Sequence, residues 1–158
     1  MTENGSRAAS STDSIRRLNS LLRGELSAVD TYEMAIEQLS GDEDATGRIL
    51  NQLQNVQEEH SQAVEALRDR ILELGGDPSE SSGAWGTWSE IVQGTMNLIG
   101  DRSALKGLRD GEEHGLKDYR AALDGLDATS RRMVSDALLP AQERHLSLLD
   151  ELIGAAKI

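Results

Sequence analysis

One seam constrains this chain more than any other. Leu50, Leu53, Gln57, His60, Val64, Leu67, Ile71 and Leu74 follow one another at alternating steps of three and four, the spacing that puts side chains on one stripe of an α-helix. Two positions in that stripe hold a glutamine and a histidine where a helix core wants leucine. The same Gln-Glu-x-His word returns near the other end, Gln57-Glu58-Glu59-His60 being answered by Gln142-Glu143-Arg144-His145, with Leu138, Gln142, His145, Leu149 and Leu152 keeping the spacing. Both helices are expected to point a polar pair inward.

A core without phenylalanine, and with only two Trp and two Tyr in 158 residues, must be built mainly from Leu, Ile, Val, Met and Ala, which suits an all-α single domain. The formal net charge of −12 repels phosphate backbones and anionic lipid surfaces, so nucleic acid and membrane are not expected partners. Absence of cysteine excludes disulfides and thiolate metal sites and fits a cytoplasmic setting. The first thirteen residues, MTENGSRAASSTD, lack the apolar run of a secretory signal and read as a disordered tail (1–13) ahead of a bundle domain (14–158).

The first helix is expected from about Ser14, capped by Ser11, Thr12 or Asp13, with the seam Leu18, Leu22, Glu25, Val29, Tyr32, Ile36, Leu39 and a stop at Ser40-Gly41. The second runs from about Ala45 to Leu74, ended by Gly75-Gly76 and Asp77-Pro78. From Gly75 to Asp101 the pattern weakens, which predicts a long crossover containing a short helix with Trp85 and Trp88, able to return the chain to the other end of a bundle. Asp101 can cap a third helix with the seam Leu105, Leu108, Glu112, Gly115, Tyr119, Ala122, Leu126. Asp127, Thr129 or Ser130 can start a fourth, which continues to about Ala156 with a bend at Pro140, just before Gln142.

These patterns contain an internal repeat. Glu25 and Glu112 each precede a tyrosine, Tyr32 and Tyr119, by seven residues, and stand 35 and 33 residues ahead of His60 and His145. Two helical hairpins related by an approximate twofold axis account for this economically. Glu25, Gln57, His60, Glu112, Gln142 and His145 then fall at comparable levels of four helices, and burying so many polar groups without an organising charge is expensive. That convergence favours a metal site. The competing reading is a set of Glu–His and Gln–His pairs that satisfy one another and fix helix register without metal.

With Glu25, Gln57…His60, Glu112 and Gln142…His145 in place, the chain resembles the ferritin-like superfamily of four-helix bundles over about residues 14–156. Within it, Leu74-Gly75-Gly76…Pro78 and the two Glu…Tyr pairs resemble a bacterial ferritin-like group of unknown function. The di-iron members use a Glu from each of two helices and a Glu-x-x-His pair from each of the other two. The resemblance implies Glu25, His60, Glu112 and His145 as ligands of iron, manganese or zinc, with Gln57 and Gln142 standing where two further carboxylates are found. Two carboxylates and two imidazoles balance one divalent cation, whereas a second would leave uncompensated charge in a low-dielectric core. One metal per chain is therefore expected, with the two glutamines as weak ligands or outer partners. Tyr32 and Tyr119 are expected to donate to the ligands from behind. Glu58 and Glu143 lie about 100° off the seam and belong on the flank.

The resemblance further implies metal handling or a role in oxidative stress, and metal-dependent oxidase chemistry, against which the two glutamines argue. The alternative is a metal-free bundle serving as a structural or interaction scaffold. A homodimer through the crossover or an exposed helix face is compatible with either.

Overall fold

The computed structural model describes residues 2–41, 47–82 and 101–155. Helix α1 spans Thr2–Ser40 and α2 spans Gly47–Glu73. After the crossover come α3, Asp101–Ala122, and a short 3₁₀ turn, Leu123–Gly125. The fourth rod is built from α4 (Ala128–Met133), a π turn (Val134–Leu138) and α5 (Leu139–Ala155). There is no strand among the described residues. The architecture is a ferritin-like four-helix bundle, with α1 packed chiefly on α2, α3 chiefly on α5, and α1 and α3 in contact between the two hairpins. The expected crossover helix, with Trp85 and Trp88, lies outside the described residues.

The seams become the core. Leu18, Leu22, Leu53, Leu67, Ile71, Leu105, Leu108 and Leu149 are fully buried. They divide into two apolar clusters, each containing one of the tyrosines: Tyr32 joins Leu39, Leu53, Leu105 and Leu149, while Tyr119 joins Leu18, Leu22, Leu67 and Val134. Glu25, Glu112, His60, Gln142 and His145 are all buried as well. One expectation changes at the N-terminus, because segment 1–13, read as a disordered tail, has helical backbone from Thr2 rather than from Ser14. No cap is needed at Asp13, whose carboxylate instead pairs with Arg16 and Arg17 on the next turn of the same helix.

The ends of the helices follow from local chemistry. Gly75 takes a positive φ of 81°, its N–H bonding Leu72 O at 3.0 Å while the Gly76 N–H bonds Ile71 O at 2.9 Å. This pair of bonds closes the last turn of α2 in the left-handed conformation that only glycine adopts without strain. The chain beyond is tied back to α1, with Asn19 donating to Asp77 O at 3.0 Å and accepting from Ser79 N at 2.8 Å. Asp127 caps α4, its carboxylate accepting from Ser130 N at 3.2 Å and Arg70 Nη2 at 2.8 Å while its own N–H donates to Ser14 Oγ at 2.8 Å. Burial disfavours the Asp127 charge, but the Ser130 and Arg70 bonds outweigh it and hold the carboxyl down to about 2.

The fourth helix does not simply bend at Pro140. The Leu139 N–H bonds Val134 O five residues back, so a π turn precedes the proline. Proline has no N–H and its ring clashes with the carbonyl four residues earlier, and a widened turn relieves both.

Candidate metal centre

Between the two apolar clusters lies a polar layer, and each helix contributes to it through the seam position where leucine was missing. Glu25 from α1 and Glu112 from α3 flank His60 from α2, whose Nδ1 lies 2.5 Å from Glu25 Oε2 and whose Nε2 lies 2.8 Å from Glu112 Oε1. His60 is 1 % exposed and the two carboxylates 5 % and 0 %, so water does not screen this triad. Carboxylates only accept, so each ring nitrogen facing one carries a proton. Burial opposes the charged ring, yet the charges of Glu112 and Glu25 prevail and His60 titrates well above an ordinary histidine. The same balance acts on Glu112, where His60 and His145 overcome burial and take the carboxyl down to about 2.

The tyrosines meet the carboxylates reciprocally across the bundle. Tyr32 of α1 donates to Glu112 Oε1 at 2.5 Å, and Tyr119 of α3 donates to Glu25 Oε1 at 2.5 Å. Burial and the adjacent carboxylate push both phenols well above their usual range, so they stay protonated donors. Gln142 is buried and its amide donates both to the Glu112 carboxylate and, at 3.1 Å, to the Glu112 backbone carbonyl. Gln57 behaves differently. It is half-buried and its amide is spent on Val29 O at 3.2 Å, a backbone group of α1 outside the polar layer.

His145 completes the layer. Its ring centre is 4.7 Å from that of His60, and its Nδ1 stands 3.7 Å from Glu112 Oε1. That nitrogen is buried and has no hydrogen-bond partner. Donor atoms of His60, Glu112 and His145 all fall within 4.8 Å of one another, the arrangement among the described residues that could close around a cation. Glu25 joins them through His60. The chemistry of this donor set, imidazole nitrogen with carboxylate oxygen, fits Zn²⁺, Fe²⁺ or Mn²⁺.

Glu59 also reaches the site. Its Oε2 lies 2.5 Å from His145 Nε2. Sequence reasoning weighed Glu58 and Glu143 and passed over Glu59, although Gln52, Val56, Glu59 and Ala63 form a second stripe beside the seam at steps of four, three and four, with Val56 and Ala63 buried. Glu58 and Glu143 are exposed on the flank, Glu143 facing Arg120 at 3.9 Å. A narrow cavity of about 20 Å³, lined by Ser20, Gly24, Gly115 and Asp118, reaches Glu25 and His60. It has room for about one water-sized particle.

A fold and layer of this kind define a ferritin-like helical protein, and a crystal structure from Bacillus anthracis strain Ames, described as ferritin-like, diiron-carboxylate proteins, has the same fold. The two superpose with a TM-score of 0.72 at 18 % identity, over 91 % of this chain and 97 % of that one. The chain belongs to the family described as domain of unknown function DUF2383, which matches residues 13–125. That match takes in Glu25, His60, Glu112 and both tyrosines and ends ahead of Gln142 and His145. No curated protein matches the sequence. No helix among the described residues is long and apolar enough to cross a membrane.

Proposed function

We propose that this protein binds one divalent metal ion, iron, manganese or zinc, in its polar layer, and serves in metal handling or the response to oxidative stress. The observation that carries the reading is the buried, unpartnered Nδ1 of His145, set among the donor atoms of His60 and Glu112. Glu112, His60 and His145 would hold the ion, with Glu25 as a fourth ligand. Tyr32, Tyr119 and Gln142 steady the carboxylates through the hydrogen bonds they already make. Gln57 belongs to the helix packing instead.

Charge supports a single ion. With His60 protonated, Glu25 and Glu112 leave the layer one negative charge in excess; with both imidazoles neutral, the same two carboxylates balance one dication. His60 gives up a ring proton to act as a ligand, so occupancy rises with pH. When bound, iron or manganese would supply one-electron chemistry toward dioxygen or peroxide.

The metal-free scaffold is favoured by a different observation, namely that both nitrogens of His60 are already satisfied by carboxylates. Metal analysis separates the two. The protein is stripped of metal, offered Fe²⁺, Mn²⁺ or Zn²⁺ anaerobically, desalted, and measured for metal per chain and for thermal midpoint. The expected result is one retained ion, with a raised midpoint, both lost in His145→Ala. No retention with any of the three ions would overturn the metal reading and leave the scaffold.

A further inference from the structure

We propose that the cavity between α1 and α3 is the port by which water and a divalent cation reach the polar layer, with the Asp118 carboxylate at its mouth. For the cation this rests on the metal reading; for water it stands without it. The partly exposed Ser20, Gly24, Gly115 and Asp118 line the cavity on the outside, and the buried Glu25 and His60 line it within. It therefore joins the bundle surface to two of the four proposed ligands. A volume of about 20 Å³ holds about one water, so a cation passes by exchanging its hydration waters for oxygens of the wall.

The opening originates in the sequence of both helices. Gly115 stands on the α3 seam three residues after Glu112, and Ala28 stands three residues after Glu25; both line the cavity. Leu105, Leu108 and Tyr119 on the same α3 seam are large and buried, and a side chain of that size at Gly115 would fill the space. Glycine inside a helix is unfavourable relative to alanine, yet Gly24 and Gly115 both face this gap. At the mouth, Asp118 keeps 35 % of its side chain in solvent, while its Oδ2 is buried without a hydrogen-bond partner and lies 3.5 Å from His114 Nε2. Water or a cation satisfies such an oxygen, and Glu25 offers the next carboxylate inward. A wider groove between α2 and α5 also approaches the layer, but it has the Arg144 guanidinium on its wall and the Glu59 carboxylate already engaged with His145. A cation is less welcome there.

The test uses the full-length protein. In the metal-free state, a nuclear Overhauser effect from water to the Ala28 methyl group is expected in the wild type and lost in Gly115→Leu. Stopped-flow mixing with Co²⁺, followed by visible absorption, is expected to show loading about 10-fold or more slower in Gly115→Leu, because uptake then waits on local opening of the bundle. Ser20→Leu closes the same opening from its partly exposed rim and is expected to slow loading likewise, which keeps the test decisive where Gly115→Leu does not fold. Asp118→Asn is expected to load about 2- to 10-fold more slowly at low salt, the difference shrinking at high salt. All three variants should reach the wild-type content of Co²⁺ per chain, and Asn55→Leu in the α2/α5 groove should load at the wild-type rate. Absence of the water effect in the wild type, wild-type loading in a folded Gly115→Leu or Ser20→Leu, or slowing in Asn55→Leu instead would overturn the proposal. A water effect that depends on Gly115 in a protein that takes up no Co²⁺ would uphold the solvent port and count against the metal reading.

Discussion

Replacing Glu112 by glutamine tests the polar layer most directly, because this one carboxylate accepts from Tyr32, His60 and Gln142 together. The substitution keeps the shape and removes the charge. His60 retains the Glu25 carboxylate on Nδ1 but faces at best a neutral amide oxygen on Nε2 in place of a charged partner, in a position where it is 1 % exposed. Removing one member of a buried ion pair costs about 3–5 kcal/mol, and the retained Glu25 argues for the lower end, about 3 kcal/mol. An unfolding entropy of about 2.1 cal/mol/K per residue over 158 residues comes to about 0.33 kcal/mol/K, so each kcal/mol moves the midpoint by about 3 °C. Glu112→Gln should therefore melt about 9 °C lower in metal-free buffer, followed by circular dichroism at 222 nm. The pKa of His60, read by NMR titration, should fall in the same variant. Glu58→Gln, an exposed neighbour on α2, should stay within about 0.5 kcal/mol of wild type. A loss below about 1 kcal/mol for Glu112→Gln would mean that Glu112 does not sit between these partners, and the reasoning about the layer would fail.

Other perturbations probe the frame around the layer. Tyr119→Phe removes a buried donor to the Glu25 carboxylate and should cost about 1.5–3 kcal/mol in urea unfolding, with no change in the m-value. Asp127→Ala removes the cap of α4 and the partner of Arg70, and a midpoint about 3–6 °C lower, for about 1–2 kcal/mol, is expected by calorimetry. Because the Asp127 carboxyl is held at about 2 against an unfolded value of 3.8, its contribution is present above pH 3.8 and fades as pH falls toward 2. Asp127→Asn should accordingly flatten the acid limb of the stability curve in that window. Gly75→Ala forces a side chain into the left-handed region at φ 81° and should cost about 1–2 kcal/mol by thermal melt.

Much of this architecture could be read before any coordinates, for a definite reason. Steps of three and four through Leu50 to Leu74 leave a helix only one face to bury, and a charged Glu25 or Glu112 in such a face must find a partner there. The stops at Ser40-Gly41 and Gly75-Gly76 are local chemistry and equally legible, and Asp127 is the one of three expected starts, with Thr129 and Ser130, that caps the fourth rod. Tyr32 and Tyr119 each donate to the seam glutamate of the other hairpin. What escaped depends on how helices rotate against one another. Glu59 lies beside the seam of α2 and meets His145 only because α5 approaches on that side. Gln57 keeps its seam position and still turns its amide to the α1 backbone. The start of α1 at Thr2 rather than near Ser14 is carried along segment 2–13, which has no strong breaker beyond Gly5.

The widened turn in the fourth helix sets the phase of everything after it. Val134 and Gln142 both face inward, yet eight residues of unbroken α-helix would leave them about 80° apart around the axis. Absorbing one residue in the Val134–Leu138 turn brings that offset to about 20°, so a single inserted position re-indexes the C-terminal half, and with it Gln142 and His145. A one-residue deletion there would leave regular α-helix with the same offset of about 20°, so Gln142 and His145 would keep facing the other three rods, whereas straightening the turn without the deletion would swing both aside.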